Sequence, residues 1–214
     1  FRLFGAARHD LWPPTGRVVP DEVSRRDVEL MKQMGLNAVR TAHHPPDEAF
    51  LKWADQLGLY VIDNIPMSNL RVEEMEDPAW LEPAIMRTRE TVLRDRNHPS
   101  VIMWAIGNEN HMTGLHRQMR EEIRQLDGSR VAILPNEMGN AEFPEIASRH
   151  YQFPERYLES LLRQPGKPFV TTEFNHSLYE GGGGLTEVMD IFELAPNGTG
   201  GTIWEWMDQG ILNP

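Results

Sequence analysis

The sequence contains no cysteine and no long apolar run. Without cysteine there are no disulfides, no thiolate nucleophile and no cysteine-ligated zinc, and the compartment, cytoplasmic or periplasmic, stays undecided. Because a membrane-spanning helix needs roughly 20 apolar residues, we expect no membrane partner. Positive charge is also scarce, since 21 Lys and Arg stand against 32 Asp and Glu, a net charge of −11. Nucleic acid binds to clustered Lys and Arg, so we expect no nucleic acid partner.

The composition is that of one globular domain. Of the 214 residues, 40% are hydrophobic and 25% are charged, which is enough to build one buried core. We therefore predict a single domain over residues 1–214. The chain begins in an apolar run at Phe1 and stops at Pro214 just past another, so we expect a fragment of a longer, multidomain protein.

Short β-rich runs alternate with segments of helical period. Strands are predicted at 3–9, 36–41, 58–63, 101–106, 131–134, 146–151, 168–172 and 199–204. Helices are predicted at 21–35, 47–57, 79–96, 112–126, 155–164 and 185–194. The connection after the fifth strand is short and polar, so we expect a helix to be lost or reduced there. This alternation is typical of a parallel sheet built from βα units.

Eight such strands predict an α/β fold, a compact (β/α)8 or TIM barrel that lacks its last helix. The competing fold is an open, doubly wound sheet. No G-x-G-x-x-G motif follows the first strand, so the open sheet lacks its usual dinucleotide site. We prefer the barrel and predict no cofactor.

Two glutamates close strand-type runs. Glu109 ends VIMWAIGNE (101–109) and Glu173 ends KPFVTTE (167–173). Burying a carboxylate costs several kcal/mol, so we expect these strands to open into a cleft that uses both groups. Hydrolysis of a glycosidic bond requires two carboxyl groups across a cleft, one to protonate the leaving oxygen and one to attack or stabilise the anomeric carbon.

Polar or aromatic residues also follow most of the other predicted strands. They are Arg8, His9 and Asp10; Arg40 and His43; Asp63 and Asn64; Asn108; His150 and Tyr151; His176; and Trp204 with Glu205. Since the carboxyl ends of barrel strands form the catalytic face, this pattern favours an active site at that end of the fold.

Two long segments resemble the signatures of glycoside hydrolase family 2, the family of β-galactosidases and β-glucuronidases. They are NAVRTAHHP (37–45) and DRNHPSVIMWAIGNE (95–109), and the resemblance extends from GAARHD (5–10) to GGTIWEWMDQG (200–210). It implies a retaining exo-glycosidase whose catalytic domain is a (β/α)8 barrel.

The resemblance also implies roles for single residues. Glu109, in GNE, matches the general acid/base, and Glu173 matches the nucleophile. Asn108 matches a residue that hydrogen-bonds the sugar 2-hydroxyl. The other candidates are expected to line the sugar site or to donate hydrogen bonds to the nucleophile: His9, Arg40, His43, Tyr151, His176 and Trp204.

The acid and the nucleophile need different proton states. Glu109 has to be protonated at neutral pH to act as an acid, whereas the nucleophile Glu173 has to stay ionised. We therefore expect apolar surroundings or a nearby carboxylate to raise the pKa of Glu109.

One departure from the family concerns metal binding. Where β-galactosidases bind magnesium, this chain reads DNIPMSNL (63–70), with Asn64, Ser68 and Leu70 at the apparent ligand positions. A hard cation needs several oxygen ligands, and Glu109 alone cannot supply them. We therefore predict no metal.

The expected substrate is a small carbohydrate, and we favour terminal non-reducing β-D-galactosides, cleaved by double displacement. This preference rests on RHD (8–10), HHP (43–45) and WEWMDQG (204–210). A β-glucuronidase usually carries an Asn-x-Lys motif, which the sequence lacks. A β-mannosidase, a non-catalytic carbohydrate-binding barrel and an unrelated barrel hydrolase stay open, as does a homo-oligomer formed through the parent protein.

Overall fold

Strands and helices alternate along the chain in the computed structural model, which describes residues 1–137, 145–177 and 182–212. The strands are β1 (Leu3–Arg8), β2 (Ala38–Thr41), β3 (Tyr60–Ser68), β4 (Val101–Asn108), β5 (Val131–Ile133), β6 (Phe169–Phe174) and β7 (Gly198–Ile203). The helices are α1 (Asp21–Gln33), α2 (Glu48–Leu57), α3 (Val72–Glu76), α4 (Leu81–Asp95), α5 (Gly114–Leu126), α6 (Pro154–Arg163) and α7 (Leu185–Leu194), with a 3₁₀ turn at Pro78–Trp80.

The seven strands form one parallel sheet that closes on itself. Their order is β5-β4-β3-β2-β1-β7-β6, and every neighbouring pair is parallel. Ile146 bridges to Ile133 of β5, and Ala147 bridges to Phe169 of β6, both in parallel. These two bridges join the edges of the sheet, so the predicted barrel is confirmed and the open, doubly wound sheet is wrong.

The predicted strand at 146–151 is wrong in its extent, because only its first two residues pair with neighbours. Beyond them, the amide of Ser148 donates to the carbonyl of Glu137, 3.0 Å away, in the turn after β5. Tyr151 then takes a left-handed φ of 49°, which is incompatible with an extended strand. His150 and Tyr151 therefore lie on a turn instead of a strand.

Strand β3 is longer than the predicted 58–63. It pairs with β4 as far as Ser68 opposite Asn108, past an irregular register between Ile65 and Ser68. Pro66 lies within this irregularity and cannot donate to the ladder, so the strand continues only because the register shifts there. The polar pair at 63–64 marks a buried stretch of strand and not its end.

The helices agree with the prediction except before α4. The predicted helix at 79–96 begins as the 3₁₀ turn, and α3 was not predicted. Asp77 separates them because its backbone is extended, with ψ 121°, as is usual before a proline. Its side chain accepts a hydrogen bond from the amide of Ala79 at 2.9 Å and so starts the next turn.

The expected missing helices concern two places. Residues 204–212, after β7, contain no helix. After β5, residues 134–137 contain none either, while the rest of that connection, 138–144, lies outside the described residues. Among the helices of the described ranges, not one combines the length and the apolar character needed to cross a bilayer.

The barrel interior is apolar at the end where most strands begin. One cluster of buried side chains draws members from β1 to β6 and from the bridging segment: Leu3, Ala38, Ile62, Met103, Ala105, Ile133, Ile146 and Val170. Side chains from so many strands can touch only inside a closed sheet. A second cluster packs strands against helices on the outer face. The interior at this end of the barrel is thus packed with apolar side chains.

The backbones of β1 and β7 lie close together at Gly200. A Cβ at this position would lie 2.0 Å from the carbonyl oxygen of Leu3, and the backbone φ is +89°. We predict that Gly200→Ala lowers the free energy of unfolding by about 2 kcal/mol or more, because backbone strain and overpacking add. Urea unfolding measures this.

The matched control is Gly114→Ala, at the start of α5, where an added Cβ meets nothing within 4 Å. It should change the free energy of unfolding by less than about 0.5 kcal/mol. Equal effects of the two substitutions would contradict the packing described for the β1–β7 seam.

Candidate active site

A buried arginine connects four strands. Arg40, from β2, has no exposed surface. Its Nη1 donates to Oε1 of Glu173 at 2.5 Å, and its Nη2 donates to Oδ1 of Asn64 at 2.7 Å and of Asn108 at 2.8 Å. A guanidinium is a fixed, planar donor that stays charged. Strands β3, β4 and β6 therefore each turn an acceptor towards it.

Glu173 ends β6 as a buried carboxylate with a donor on each oxygen. Arg40 binds Oε1, and the hydroxyl of Tyr151 donates to Oε2 at 2.6 Å. The side chain of Glu173 is only 4% exposed. Burial and the bond to Glu173 raise the pKa of Tyr151 well above its ordinary value, so the phenol keeps its proton. Both oxygens of Glu173 thus act as acceptors.

Glu109 follows β4 and meets Glu173 across the end of the barrel. Its backbone has a left-handed φ of 51°, and its side chain is 34% exposed. Its Oε1 lies 3.0 Å from Nδ1 of His150. One carboxyl oxygen of Glu109, one ring nitrogen of His150 and one carboxyl oxygen of Glu173 all lie within 4.8 Å of one another. The two carboxyl groups therefore converge on one site, one exposed and one buried.

Aromatic and imidazole rings border the carboxylates. The ring of His43 stacks on Trp204 with centroids 5.2 Å apart, and His9 meets Trp204 edge-on at the same distance. His176 lies 6.3 Å from Trp204 and 5.9 Å from Tyr151. We call these five residues the aromatic rim. The rim touches the nucleophile candidate twice, through Tyr151 and through His43, whose Nε2 is 4.0 Å from Glu173.

The comparisons with known proteins agree with this geometry. The family model described as "Glycosyl hydrolases family 2, TIM barrel domain" matches residues 1–213. The chain belongs to this family. The β-galactosidase of Lactobacillus delbrueckii subsp. bulgaricus is 32% identical over 223 residues, and that of Vibrio cholerae is 33% identical over 227. Each alignment covers 97% of this chain but only 22% of the relative's length.

Solved structures of other glycosidases share the fold. The β-galacturonidase of Eisenbergiella tayi, bound to galacturonate, has a TM-score of 0.84 at 27% identity and covers 95% of this chain and 44% of its own. A β-glucuronidase of Ruminococcus gnavus has a TM-score of 0.85 at 24% identity, over 100% of this chain and 44% of its own. The prediction of a family 2 glycoside hydrolase domain is thus confirmed.

All nine predicted site residues of this family 2 barrel lie in one connected network. Arg40 joins Glu173 to Asn108 and, through a 3.3 Å contact between its Nη2 and Nδ1, to His43. The aromatic rim continues the network, and His150 connects it to Glu109. The members are His9, Arg40, His43, Asn108, Glu109, Tyr151, Glu173, His176 and Trp204.

The expectation of a raised pKa for Glu109 is wrong for this arrangement. The hydrogen bond from His150 lowers the pKa of Glu109, and it outweighs the opposing effect of partial burial. In the sequence an apolar strand precedes Glu109, and no local pattern indicates that a histidine from the turn at 150–151 faces it. From the sequence alone, His150 is one of several polar residues that follow predicted strands, and no role is assigned to it.

Some polar strand-end residues serve the scaffold and not the pocket. Arg8 is buried and pairs with Asp10 and with Asp27 of α1. Asp63 is buried beside Asp95 of α4, and burial followed by the hydrogen bond to Asp95 raises the pKa of Asp63. The pocket therefore contains fewer of the polar residues that follow the predicted strands than the sequence predicts.

At position 64, where the family resemblance implies a metal ligand in β-galactosidases, Asn64 makes hydrogen bonds within the site. Its Oδ1 accepts from Arg40 and its amide donates to the carbonyl of Ile65 at 2.9 Å. Within the described residues, Glu109, His150 and Glu173 are the one acidic and imidazole group compact enough to share an ion. Arg40 already places a positive charge on Glu173, and the absence of a metal stays a prediction.

The buried ion pair of Arg40 and Glu173 predicts strong coupling. We expect Arg40→Met to cost about 3–5 kcal/mol of unfolding free energy, because it leaves the carboxylate buried without its cation. Adding Glu173→Gln removes that stranded charge, so the double variant should be more stable than Arg40→Met alone. Urea unfolding of both singles and the double gives the cycle.

The exposed pair of Arg25 and Glu29, 2.8 Å apart on α1, provides the control. Arg25→Met should change the stability little, because exposed ion pairs contribute little. A double variant less stable than Arg40→Met would show that the buried pair is not coupled as described.

His43 predicts a pH effect on stability. Burial, followed by the charge of Arg40, lowers the pKa of His43 to about 2 from the ordinary 6.5. The unfolded chain therefore binds a proton at His43 that the folded chain does not, and stability falls as the pH drops below 6.5. We predict that His43→Gln reduces this slope between about pH 4 and 6 by up to about 1.4 kcal/mol per pH unit.

The slope is measured by urea unfolding of the natural sequence and the variant across that range. Identical slopes for the two proteins would show that His43 takes up a proton in the folded state as readily as in the unfolded one.

Proposed function

We propose that this chain is the catalytic barrel of a retaining exo-β-glycosidase that releases terminal β-D-galactosyl residues. The separation of the two carboxyl groups carries the proposal. Retaining enzymes hold them about 5–5.5 Å apart for direct attack, whereas inverting enzymes leave about 6.5–9.5 Å for a water molecule. A carboxyl oxygen of Glu109 lies within 4.8 Å of a carboxyl oxygen of Glu173, and this short separation favours direct attack.

In the first step, a carboxylate oxygen of Glu173 attacks the anomeric carbon and forms a glycosyl ester. The glycosidic C–O bond breaks, and the leaving oxygen takes the proton of Glu109. The hydrogen bonds from Arg40 and Tyr151 hold the Glu173 carboxylate in one orientation relative to the sugar. Preorganised donors of this kind cost no rearrangement during the reaction.

In the second step, Glu109 accepts a proton from water as the water oxygen attacks the same carbon. The ester bond to Glu173 breaks, the sugar leaves with its original configuration, and Glu109 regains its proton. The exposure of Glu109 supports this role, since both the leaving group and the water must reach it from solvent.

Asn108 supports recognition of the sugar 2-hydroxyl. Its Oδ1 accepts from Arg40 at 2.8 Å, which orients the amide and leaves the NH₂ group to donate. A hydrogen bond from this group to the 2-hydroxyl strengthens as positive charge develops on the sugar ring. Arg40 thus orients both the nucleophile and the group that senses the neighbouring hydroxyl.

The charges around the site favour a neutral sugar over a uronate. Glu205, next to Trp204, contacts Nδ1 of His9 at 2.7 Å, so an acidic group occupies this part of the rim. The three lysines of the sequence lie elsewhere, with Lys32 on α1, Lys52 on α2 and Lys167 before β6. A sugar carboxylate bound beside Glu205 would be repelled by it, and the three lysines lie on other elements. The β-galactosidase relatives support the same substrate class.

The test is hydrolysis of nitrophenyl β-glycosides by the natural full-length protein. We predict that the galactoside is cleaved in preference to the glucuronide and the mannoside. Glu109→Gln should reduce cleavage of an alkyl β-galactoside by about 10²–10⁴-fold, because that leaving group needs a proton. It should affect a dinitrophenyl β-galactoside much less in the first step.

Glu187→Gln, at an exposed position of α7, is the control and should retain the natural activity. Preferential cleavage of the glucuronide would overturn the galactoside proposal. Sugar binding without hydrolysis of any glycoside would favour the non-catalytic carbohydrate-binding barrel.

A further inference from the structure

His150 lies between the two carboxylates. Its ring is nearly inaccessible, with 1% of the side chain exposed. Nδ1 is 3.0 Å from Oε1 of Glu109 and 3.6 Å from Oε2 of Glu173, and Nε2 is 2.7 Å from the hydroxyl oxygen of Thr172. The backbone is anchored too, since the amide of His150 donates to the side chain of Asn136 at 3.0 Å.

The contacts of the ring define its tautomer. Burial lowers the pKa of His150, so the imidazole is neutral and carries one N–H. An ionised carboxylate only accepts hydrogen bonds, so Nδ1 carries the proton and donates to Glu109. Nε2 then accepts from the hydroxyl of Thr172, which lies on β6 one residue before Glu173.

Glu109 depends on this bond for its position. Its side chain is the exposed member of the pair, and within the described part of the chain its one hydrogen bond is the bond to His150. Without that bond the carboxylate is free to rotate into solvent. His150 therefore keeps Glu109 on the side of the pocket where Glu173 lies.

We propose that His150 is a positioning residue that adapts Glu109 to its role as general base in the second step. The Nδ1–H bond is strongest when Glu109 is ionised, which is the form that accepts a proton from water. The same bond opposes protonation of Glu109, which is the form that the first step needs. His150 keeps its own proton in both steps. This inference rests on the proposed function.

Other charged groups also face this pair. Arg40 acts on both Glu109 and His150 through its charge, and Glu173 acts on His150. Tyr151 meets the His150 ring edge-on at 5.7 Å, and His43 lies close enough to be influenced by His150. All of them are unchanged when only His150 is replaced. A change confined to the contact with Glu109 can therefore be separated from them by comparing replacements of His150.

Two replacements of His150 separate the contact of Nδ1 from the contact of Nε2. In His150→Asn the amide NH₂ occupies about the place of Nδ1 and can still donate to Glu109. In His150→Gln the amide reaches about the place of Nε2 and keeps the contact with Thr172 only. His150→Leu removes both contacts. Thermal unfolding of each variant checks that it is folded, and the Asn and Gln variants decide the matter by themselves if the Leu variant is not.

The experiment records two quantities on the natural full-length protein and its variants. The first is the alkaline limb of kcat/KM on an alkyl β-galactoside, which reports the proton on the free acid. The second is kcat on a dinitrophenyl β-galactoside, which reports the second step. For the Gln and Leu variants we expect the limb to move to higher pH and kcat to fall about tenfold, as for loss of a bond to a charged group.

The Asn variant should keep the natural limb and lose less than about threefold in kcat, since its donor remains. An unmoved limb in the Gln and Leu variants would overturn the inference, and so would an Asn variant that shifts together with them. The proposed function is judged separately, because hydrolysis of β-galactosides by the unaltered protein supports it whatever the variants do.

Discussion

The site depends on one buried positive charge. A guanidinium without any exposed surface has to be surrounded by acceptors, because an unpaired buried charge costs several kcal/mol. Two of the three guanidinium nitrogens of Arg40 meet this demand with Glu173, Asn64 and Asn108, which come from three different strands. The requirement to pair this charge therefore brings β2, β3, β4 and β6 to a common point. The nucleophile candidate and the amide that would sense the sugar are aligned by the same group.

The two glutamates have different surroundings, which suit the different roles proposed for them. Glu173 is buried and has a donor on each oxygen, so its orientation is restricted and both its oxygens accept hydrogen bonds. Glu109 is partly exposed and is held by His150. Chemically identical side chains thus become a fixed carboxylate and a solvent-accessible one. Double displacement needs this asymmetry, because one group stays an acceptor while the other exchanges a proton with leaving group and water.

How much the sequence could predict follows from the range of the interactions involved. Glu109 and Glu173 were predictable because each ends a β-rich run, a local pattern, and so was the alternation that gives the barrel. The predicted strand at 146–151 is wrong beyond Ile146 and Ala147, because the left-handed backbone of Tyr151 cannot be recognised from the local sequence. The contact of His150 with Glu109 joins residues 41 positions apart, and no periodic pattern encodes it. The lowered pKa of Glu109 was missed for the same reason.

In the proposed mechanism, Glu173 attacks the sugar from within the arginine-paired pocket. The most direct test of this step is mass spectrometry of peptides from the natural full-length protein after treatment with a dinitrophenyl 2-fluoro-β-galactoside, which slows hydrolysis of the covalent intermediate. We expect one fluorosugar bound to the peptide that contains Glu173. A label on another residue, or turnover of β-galactosides without any covalent label, would contradict it.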